Sequence, residues 1–157
     1  NGLDPYYDNY WEGKTTAEGM NKYFNALLDS LEKFDNFDVV GHIDYAIRYA
    51  RKPEEKNYSY DEYGEILDKI LKKIIQMGKG IEINTGGLRK GLTTSNPSES
   101  IIKRYYELGG RIITVGSDAH TPTDIGADFD IAKEILMRCG FTGYYVFLKR
   151  KPVFISF

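Results

Sequence analysis

Cysteine and long apolar runs are almost missing from this sequence, and their scarcity excludes several classes of protein. Cys139 is the single cysteine among 157 residues, so no internal disulfide can form. No stretch approaches the roughly 18 consecutive apolar residues of a membrane-spanning helix. The opening segment 1–5 also lacks the basic and apolar regions of a secretory signal. We therefore expect a cytoplasmic protein with no membrane partner, in which Cys139 is a buried, unreactive thiol.

An excess of charge of either sign is also absent. The 21 Lys and Arg residues against 23 Asp and Glu residues leave a formal net charge of -2. Proteins that bind the phosphate backbone of nucleic acids usually carry a strong positive field. The composition therefore argues against a nucleic-acid partner, and any site for an anionic ligand must be local.

Helical and strand patterns alternate along the chain, which is typical of a parallel α/β fold. Apolar residues recur at helical spacing after Thr15 and again from Tyr63 to Ile75. Each stretch is preceded by Ser or Thr with Glu three residues later, which is the spacing of a capping box. A third helix is predicted to begin after Asn96, which would be its N-cap residue. A fourth is predicted near residues 128–138. Strands are predicted over residues 37–40, 80–85 and 111–116, followed by two β-rich runs over 144–148 and 153–157.

Two segments show neither a helical nor a strand period. The opening dozen residues are rich in Asp, Asn, Tyr and Gly, and we expect them to form a surface segment. Residues 86–91 are rich in glycine and are predicted to form a loop after the second strand. In parallel α/β folds, functional groups gather in the loops where strands end. The residues that follow the predicted strands are therefore the candidates for a site.

The two histidines, His42 and His120, each follow a predicted strand and lie beside an aspartate. Their motifs are Gly-His-Ile-Asp and Ser-Asp-Ala-His, so Asp118 joins them at the strand ends. Neutral imidazole and carboxylate together suit zinc, iron or manganese, and we interpret these three residues as metal ligands. The alternative is that each histidine is a satisfied polar group at a strand end. We do not assign Asp44 or Asp124 to the site, because Asp often caps helices and loops.

Two arginines follow strand ends and are candidates for binding a phosphate. The planar guanidinium groups of Arg48 and Arg89 can bind phosphate through two parallel hydrogen bonds. The alternative is that both are solvated surface arginines. Glu82 lies within the second predicted strand and is interpreted as a structural carboxylate. The known nucleotide-binding loops and serine-nucleophile motifs are absent from the sequence.

Three segments resemble the last three motifs of the polymerase and histidinol phosphatase (PHP) superfamily, in its histidinol-phosphatase branch. They are residues 37–44 (Phe-Asp-Val-Val-Gly-His-Ile-Asp), 82–90 (Glu-Ile-Asn-Thr-Gly-Gly-Leu-Arg-Lys) and 116–120 (Gly-Ser-Asp-Ala-His). The resemblance implies a distorted (β/α)7 barrel with mostly parallel strands and up to three bound metal ions. It implies that Asp118 is a ligand of the first metal and that His42 and His120 share another. It also implies that Arg48 and Arg89 bind the substrate phosphate.

The resemblance covers only the later half of the family's barrel. The family opens with a His-x-His motif and further His and Glu ligands, and none of these is present here. Residues 1–157 are therefore predicted to be the C-terminal part of a single PHP domain whose N-terminal half is absent. We expect such a chain, by itself, to lack phosphatase activity and to self-associate through exposed strands. Since Asn1 is not methionine, truncation or processing is also expected.

The resemblance implies a metal-dependent phosphomonoester hydrolase, and within the family a histidinol-phosphatase that acts on L-histidinol phosphate in histidine biosynthesis. The expected cofactors are divalent metal ions, zinc foremost, with manganese and iron as alternatives. The expected partner is a small phosphorylated substrate. Two further hypotheses stay open at this point: a PHP phosphoesterase with another specificity, and a catalytically silent α/β fragment.

Overall fold

The fold is described by a computed structural model, which covers residues 3–157. The helices are α1 (Asp8–Trp11), α2 (Thr16–Lys33), α3 (Gly64–Gln76), α4 (Gly86–Arg89), α5 (Glu99–Glu107) and α6 (Phe129–Arg138). The strands are β1 (Val39–Val40), β2 (Gly80–Asn84), β3 (Ile113–Gly116), β4 (Gly143–Leu148) and β5 (Lys151–Ser156). Short 3₁₀ helices cover Tyr45–Tyr49, Pro53–Lys56, Tyr60–Glu62 and Pro122–Asp124. Within the described residues, no helix is long and apolar enough to cross a membrane.

Strands β1, β2 and β3 form a parallel sheet with β2 in the centre. Val39 of β1 aligns with Gly80 of β2, and Asn84 at the end of β2 aligns with Gly116 of β3. Helices lie between successive strands along the chain, as parallel neighbours require. The three strands therefore end at one edge of the sheet, and the loops after them meet there. The mixed α/β class with three parallel strands is confirmed.

The two long helices pack on the core because each has one apolar face. Thr15 caps α2, and its side chain and that of Glu18 exchange hydrogen bonds with the backbone, as predicted. Ser59 and Glu62 also form a capping box, but it encloses a 3₁₀ turn, and α3 begins only at Gly64. The buried face of α3 consists of Leu67, Ile70, Leu71 and Ile74.

The opening segment is only in part the surface segment that the sequence predicted: most of residues 3–12 are exposed, but three of them are buried, and residues 1–2 lie outside the described part of the chain. Tyr10 and Trp11 of α1 lie in the core, only 3% and 2% exposed. The Trp11 indole N–H donates to the carbonyl oxygen of Pro5 at 2.8 Å. Gly19 leaves room for the indole, since a β-carbon there would lie 2.3 Å from Trp11 Cζ3. The prediction was wrong for Tyr10 and Trp11 because the two rings lie in no periodic pattern, so their burial depends on helix α2, which packs over them.

Two local predictions near the second strand are also corrected. The glycine-rich segment after β2 is not a loop throughout, because Gly86–Arg89 form a helical turn. Ser98, and not Asn96, holds the N-cap position of α5. Asn96 does not cap the helix because its backbone pairs with Asn84 and its side chain contacts Arg48.

The last two strands form a separate antiparallel hairpin, at the two β-rich runs of the sequence. The chain turns at Lys149 and Arg150, both of which have positive φ. Arg150 reaches back to Asp38, with 3.1 Å between its Nε and the carboxylate Oδ2. Every residue of β5 is exposed, so this strand contributes little to the core.

Cys139 follows the last turn of α6 and is 5% exposed. Burial raises the pKa of its thiol to about 11. Because the thiolate is the nucleophilic form, this cysteine is unreactive near neutral pH, as the sequence predicted.

Candidate functional site

A cavity of about 750 Å³ opens at the edge where the three parallel strands end. The residues singled out in the sequence all line it, namely His42, Arg48, Arg89, Asp118 and His120. The remaining lining residues include three tyrosines and several charged side chains: Asp4, Tyr6, Tyr45, Tyr49, Lys90 and Asp124. The parallel sheet brings the candidates together because each follows one of its strands.

His42 lies directly after β1 in an unusual backbone conformation. Its φ is 30°, a value that few residues other than glycine adopt. Its carbonyl oxygen accepts a hydrogen bond from the Tyr45 N–H at 2.8 Å, and the two rings lie 5.0 Å apart. Among the described residues, its Nδ1 is buried and has no hydrogen-bond partner. A buried nitrogen without a partner destabilises the folded state unless water or a ligand binds it. Nδ1 is therefore a candidate position for a ligand.

Asp118 and His120 follow β3 in a tight turn. The Asp118 backbone has a φ of 53°, and its carbonyl oxygen lies 2.8 Å from His120 Nδ1. The His120 side chain is 82% exposed, whereas that of Asp118 is 27% exposed. Partial burial raises the pKa of Asp118, but the hydrogen bond and charge of Arg48 outweigh it and hold that pKa below its usual range. The carboxylate is therefore ionised at neutral pH, as a ligand for a cation must be.

Arg48 is buried, and all three guanidinium nitrogens have partners. Nη1 donates to Asp118 Oδ2 at 2.7 Å, and Nη2 donates to Asn84 Oδ1 at 2.9 Å. Nε donates to Asn96 Oδ1 at 2.6 Å. With a side chain that is only 3% exposed, Arg48 is not a solvated surface arginine. A carboxylate and two amide oxygens compensate its buried charge.

Arg89 ends α4 and is less constrained than Arg48. Its side chain is 27% exposed. Nη1 lies 3.4 Å from Asp128 Oδ2 and Nε lies 3.8 Å from Asp124 Oδ1, while Nη2 donates to the carbonyl oxygen of Ser117. The two carboxylate contacts are long and weak, so the hydrogen bond to Ser117 is the main contact that holds this guanidinium.

Three polar residues behind Arg48 were not assigned to the site from the sequence. Asn84 and Asn96 accept hydrogen bonds from its guanidinium. Asp44 is 1% exposed and accepts hydrogen bonds from Tyr58 Oη and from Asn96 Nδ2, both at 2.7 Å. Burial raises the pKa of Asp44, and the hydrogen bonds from these two side chains oppose the rise. The sequence signal was weak, because each residue lies near a strand end or helix start, where polar caps are common.

Two glycines in α4 let the backbone pass close to these side chains. A β-carbon on Gly86 would lie 2.8 Å from Asp118 Cβ, and one on Gly87 would lie 2.4 Å from Asn96 Oδ1. The Gly86 N–H donates to Asn84 Oδ1 at 2.9 Å. The Gly-Gly pair is therefore required by packing against the wall of the cavity.

Glu82 lies across the ends of neighbouring strands. A β-carbon on Gly41 would lie 3.1 Å from Glu82 Oε2, and one on Gly116 would lie 2.1 Å from Oε1. Oε2 also accepts a hydrogen bond from Asn84 Nδ2 at 3.1 Å. The carboxylate thus occupies the space beside both glycines and orients Asn84, which agrees with a structural role.

The side chains of the cavity suit a divalent metal ion, but the ligand set on this chain is incomplete. His42 offers a buried Nδ1 without a partner, and Asp118 offers an ionised carboxylate. Catalytic zinc commonly takes three protein ligands. Among residues 3–157, no three His, Cys, Asp or Glu side chains lie close enough to hold one ion. The residues therefore fit part of a metal centre, and the structure does not join His42, Asp118 and His120 into a complete one.

Comparison with known proteins identifies relatives of this chain. Residues 3–86 match the PHP domain family. Over 156 residues the chain is 37% identical to a probable histidinol-phosphatase of Clostridium acetobutylicum, covering 99% of this chain and 57% of that protein. It is 31% identical over 128 residues to the histidinol-phosphatase of Lactococcus lactis, covering 82% and 47% of the two chains. The chain spans about half the length of the curated relatives it matches.

A solved structure shares the fold. It is the crystal structure of histidinol phosphate phosphatase from Lactococcus lactis in complex with zinc, L-histidinol and phosphate. The TM-score is 0.74 at 25% sequence identity, and the match covers 92% of this chain and 54% of that chain. The PHP domain match extends over more than half of the sequence and includes β1, β2 and His42. The chain belongs to the PHP domain family.

Proposed function

We propose that this protein is a divalent-metal-dependent phosphomonoester hydrolase whose substrate is L-histidinol phosphate. The observation that carries the proposal is that metal-ligand side chains and arginines line one cavity at the strand ends. The Clostridium acetobutylicum and Lactococcus lactis relatives are named a probable histidinol-phosphatase and a histidinol-phosphatase. The similar Lactococcus lactis structure holds zinc, L-histidinol and phosphate. Both findings support an ester whose leaving group is histidinol.

His42, Asp118 and His120 are the proposed metal ligands of this chain, with zinc as the expected ion and manganese or iron as alternatives. A divalent ion held there lowers the pKa of water and stabilises negative charge on phosphate oxygens. The backbone of His42 and the ion pair of Asp118 with Arg48 hold two of these ligands in place before the ion binds. A complete centre needs more ligands than the described residues bring together.

Arg48 and Arg89 are the proposed phosphate-binding residues. Arg89 lies at the more open part of the wall; its contacts with Asp124 and Asp128 are long, and its hydrogen bond to the Ser117 carbonyl oxygen is the one that it must give up to turn towards a phosphate. Arg48 is fixed by three hydrogen bonds and supplies a positive charge beside Asp118. Positive charge placed before the substrate arrives stabilises the charge that develops during phosphoryl transfer.

The three-stranded sheet is proposed to be part of a distorted (β/α)7 barrel, with residues 1–157 forming the C-terminal part of a single PHP domain. Strand β2 is mostly buried, whereas β1 and most of β3 are only partly buried. The chain also spans about half the length of its relatives. Both observations support further strands beside β1 and β3.

Phosphate release by the protein expressed from its complete gene tests the proposal. With zinc or manganese present, L-histidinol phosphate should be hydrolysed with a kcat/KM at least about tenfold above that of phosphotyrosine or a nucleotide. Asp118→Asn should abolish turnover, because it removes a charged ligand. The matched change Asp130→Asn, on the exposed face of α6, should leave turnover unchanged.

Two other outcomes would replace the proposal. Preferred hydrolysis of phosphotyrosine or of a nucleic acid would show a PHP phosphoesterase with another specificity. The absence of phosphate release from every ester, by a folded and metal-loaded protein, would show a catalytically silent module.

A further inference from the structure

A chain of buried polar side chains extends from the interior to the wall of the cavity. Tyr58 donates to Asp44, Asp44 accepts from Asn96, Asn96 accepts from Arg48, and Arg48 donates to Asp118. The four contacts measure 2.7, 2.7, 2.6 and 2.7 Å in that order. Asp44 and Asn96 are 1% and 0% exposed, so water does not compete for these hydrogen bonds.

The side-chain amide of Asn96 joins two groups with opposite requirements. Its Oδ1 accepts a hydrogen bond from Arg48 Nε, which is a donor only. Its Nδ2 donates to Asp44 Oδ1, and an ionised carboxylate is an acceptor only. Rotation of the amide by a half turn would place donor against donor and acceptor against acceptor. The orientation of Asn96 is therefore determined by both neighbours at once.

The backbone on either side of this amide is equally constrained. The N–H of Asn96 donates to the Asn84 carbonyl oxygen at 2.9 Å, and the Asn84 N–H donates to the Asn96 carbonyl oxygen at 2.7 Å. Asp44 Oδ2 also accepts from the Ser98 N–H at 2.9 Å. Gly87 packs closely against one side of the amide, since a β-carbon on it would lie 2.4 Å from Asn96 Oδ1. Asn96 and Asp44 are therefore tied to the backbone as well as to each other.

We infer that Asn96, held by Asp44, is a positioning residue that fixes the guanidinium of Arg48 and, through it, the carboxylate of Asp118. This inference rests on the proposed function, because it assigns Arg48 and Asp118 to the phosphate and metal sites. Asn96 itself does not line the cavity and is 0% exposed, so its side chain is not open to a ligand there. Its effect is geometric, since a displacement of about 1 Å in a reacting group can cost on the order of 10²-fold in rate.

Two variants of the protein expressed from its complete gene test this inference. Asn96→Asp keeps the acceptor for Arg48 but replaces the amide donor with a second carboxylate against Asp44, so the two carboxylates must either repel or share one proton. We expect kcat/KM for L-histidinol phosphate to fall by about tenfold or more, with a matching loss of affinity for inorganic phosphate.

The double variant Asp44→Asn/Asn96→Asp exchanges the two groups and restores every hydrogen bond. The new amide at position 44 donates to the new carboxylate at position 96 and still accepts from Tyr58 and Ser98. The double variant should recover to within about threefold of the wild type, because residues in contact couple non-additively. If Asn96 acted on folding alone, the variants would change the unfolding midpoint but leave kcat/KM and the phosphate affinity of the folded protein unchanged.

The control is Asp68→Asn, which breaks a hydrogen-bonded cluster between α3 and α5 outside the cavity. It should lower the unfolding midpoint without changing kcat/KM. If Asn96→Asp does not fold, Asn96→Ala takes its place and must show the same loss. Wild-type kcat/KM in the Asn96 variant, or no recovery in a folded double variant, would overturn the inference.

Binding measurements separate this inference from the proposed function. If the wild type hydrolyses no ester, the proposed function fails, and the affinities for zinc alone and for inorganic phosphate alone still report on Asp118 and Arg48. Weaker binding of both probes in Asn96→Asp, with recovery in the double variant, would uphold the positioning role. Unchanged binding of both probes would reject it.

Discussion

Arg48 and Asp118 lie 70 positions apart in the sequence, yet Arg48 Nη1 and Asp118 Oδ2 are 2.7 Å apart at the wall of the cavity. The pair joins a residue after β1 to a residue after β3, so it spans the width of the parallel sheet. It also places a fixed positive charge beside a proposed metal ligand. Substitution of Arg48 distinguishes this arrangement from a purely structural ion pair.

Arg48→Lys should weaken both the fold and phosphate binding. A lysine keeps the charge but cannot satisfy Asn84, Asn96 and Asp118 at once, because it lacks the planar fork. We expect a loss of about 2–3 kcal/mol in the free energy of unfolding, since buried acceptors lose their donors. Urea unfolding and phosphate calorimetry measure the two effects. Arg51→Lys, three residues along and exposed, should change neither, and equal behaviour of both variants would contradict the prediction.

Arg89→Lys should weaken phosphate binding with little change in stability. Arg89 makes long contacts with Asp124 and Asp128, so the fold depends on it less than on Arg48. We expect affinity for inorganic phosphate to fall about tenfold and the free energy of unfolding to stay within about 0.5 kcal/mol. Arg138→Lys, which changes a guanidinium paired with Glu99 outside the cavity, is the control. Unchanged phosphate affinity in Arg89→Lys would assign Arg89 to the solvated surface.

Zinc should stabilise the protein through His42. Its Nδ1 is buried without a partner among the described residues, so a bound ion would satisfy it. A ligand at about 100 times its Kd adds about 2.7 kcal/mol to the free energy of unfolding, and His42→Ala should lose most of that gain. Thermal unfolding with and without zinc measures this. Cys139→Ala should keep the full zinc effect, and an equal effect in His42→Ala would remove His42 from the metal site.

Acid should selectively remove the contribution of Asp68. Hydrogen bonds from Arg104, then from Tyr60 and Lys72, outweigh burial and hold the pKa of Asp68 below its usual range. The folded pKa is thus below the unfolded value of about 3.9, so the stabilisation is complete above that pH and is lost as pH falls further. Asp68→Asn should cost about 1–2 kcal/mol at pH 7, and the difference should shrink below about pH 4.

Urea unfolding from pH 7 down to pH 2 measures this difference. Asp29→Asn removes an exposed carboxylate from α2 and is the matched control. A constant difference between wild type and Asp68→Asn across this range would show that the Arg104 contact does not contribute through the charge of Asp68.

The 157-residue chain expressed alone should self-associate. Strand β5 is exposed along its whole length and presents Val153, Phe154 and Ile155, which is the kind of edge that pairs with another chain. Ile155→Lys should reduce the association seen by light scattering, because a charge on an edge strand opposes pairing. Met137→Lys, which changes an exposed apolar residue on helix α6, should have a smaller effect. A monomer at every concentration would contradict the prediction.

The local sequence was sufficient to predict much of the secondary structure and the identity of the candidate residues. The capping box of Thr15 and the apolar stripe of α3 depend only on residues three or four positions apart, so they can be recognised without a fold. His42 and Asp118 were identified because each follows an apolar strand. Parallel strands end at one edge, and this rule alone predicts that such residues meet.

Only the tertiary structure decided which polar groups hold those residues and which rings are buried. Asn96 pairs with Arg48 across 48 positions, and Asp44 pairs with Asn96 across 52, distances at which a sequence period carries no information. Trp11 is buried because α2 folds over it. The physical reason is the same in each case: short-range patterns determine helices and strands, whereas a buried hydrogen bond exists only after the chain has brought distant partners within about 3 Å.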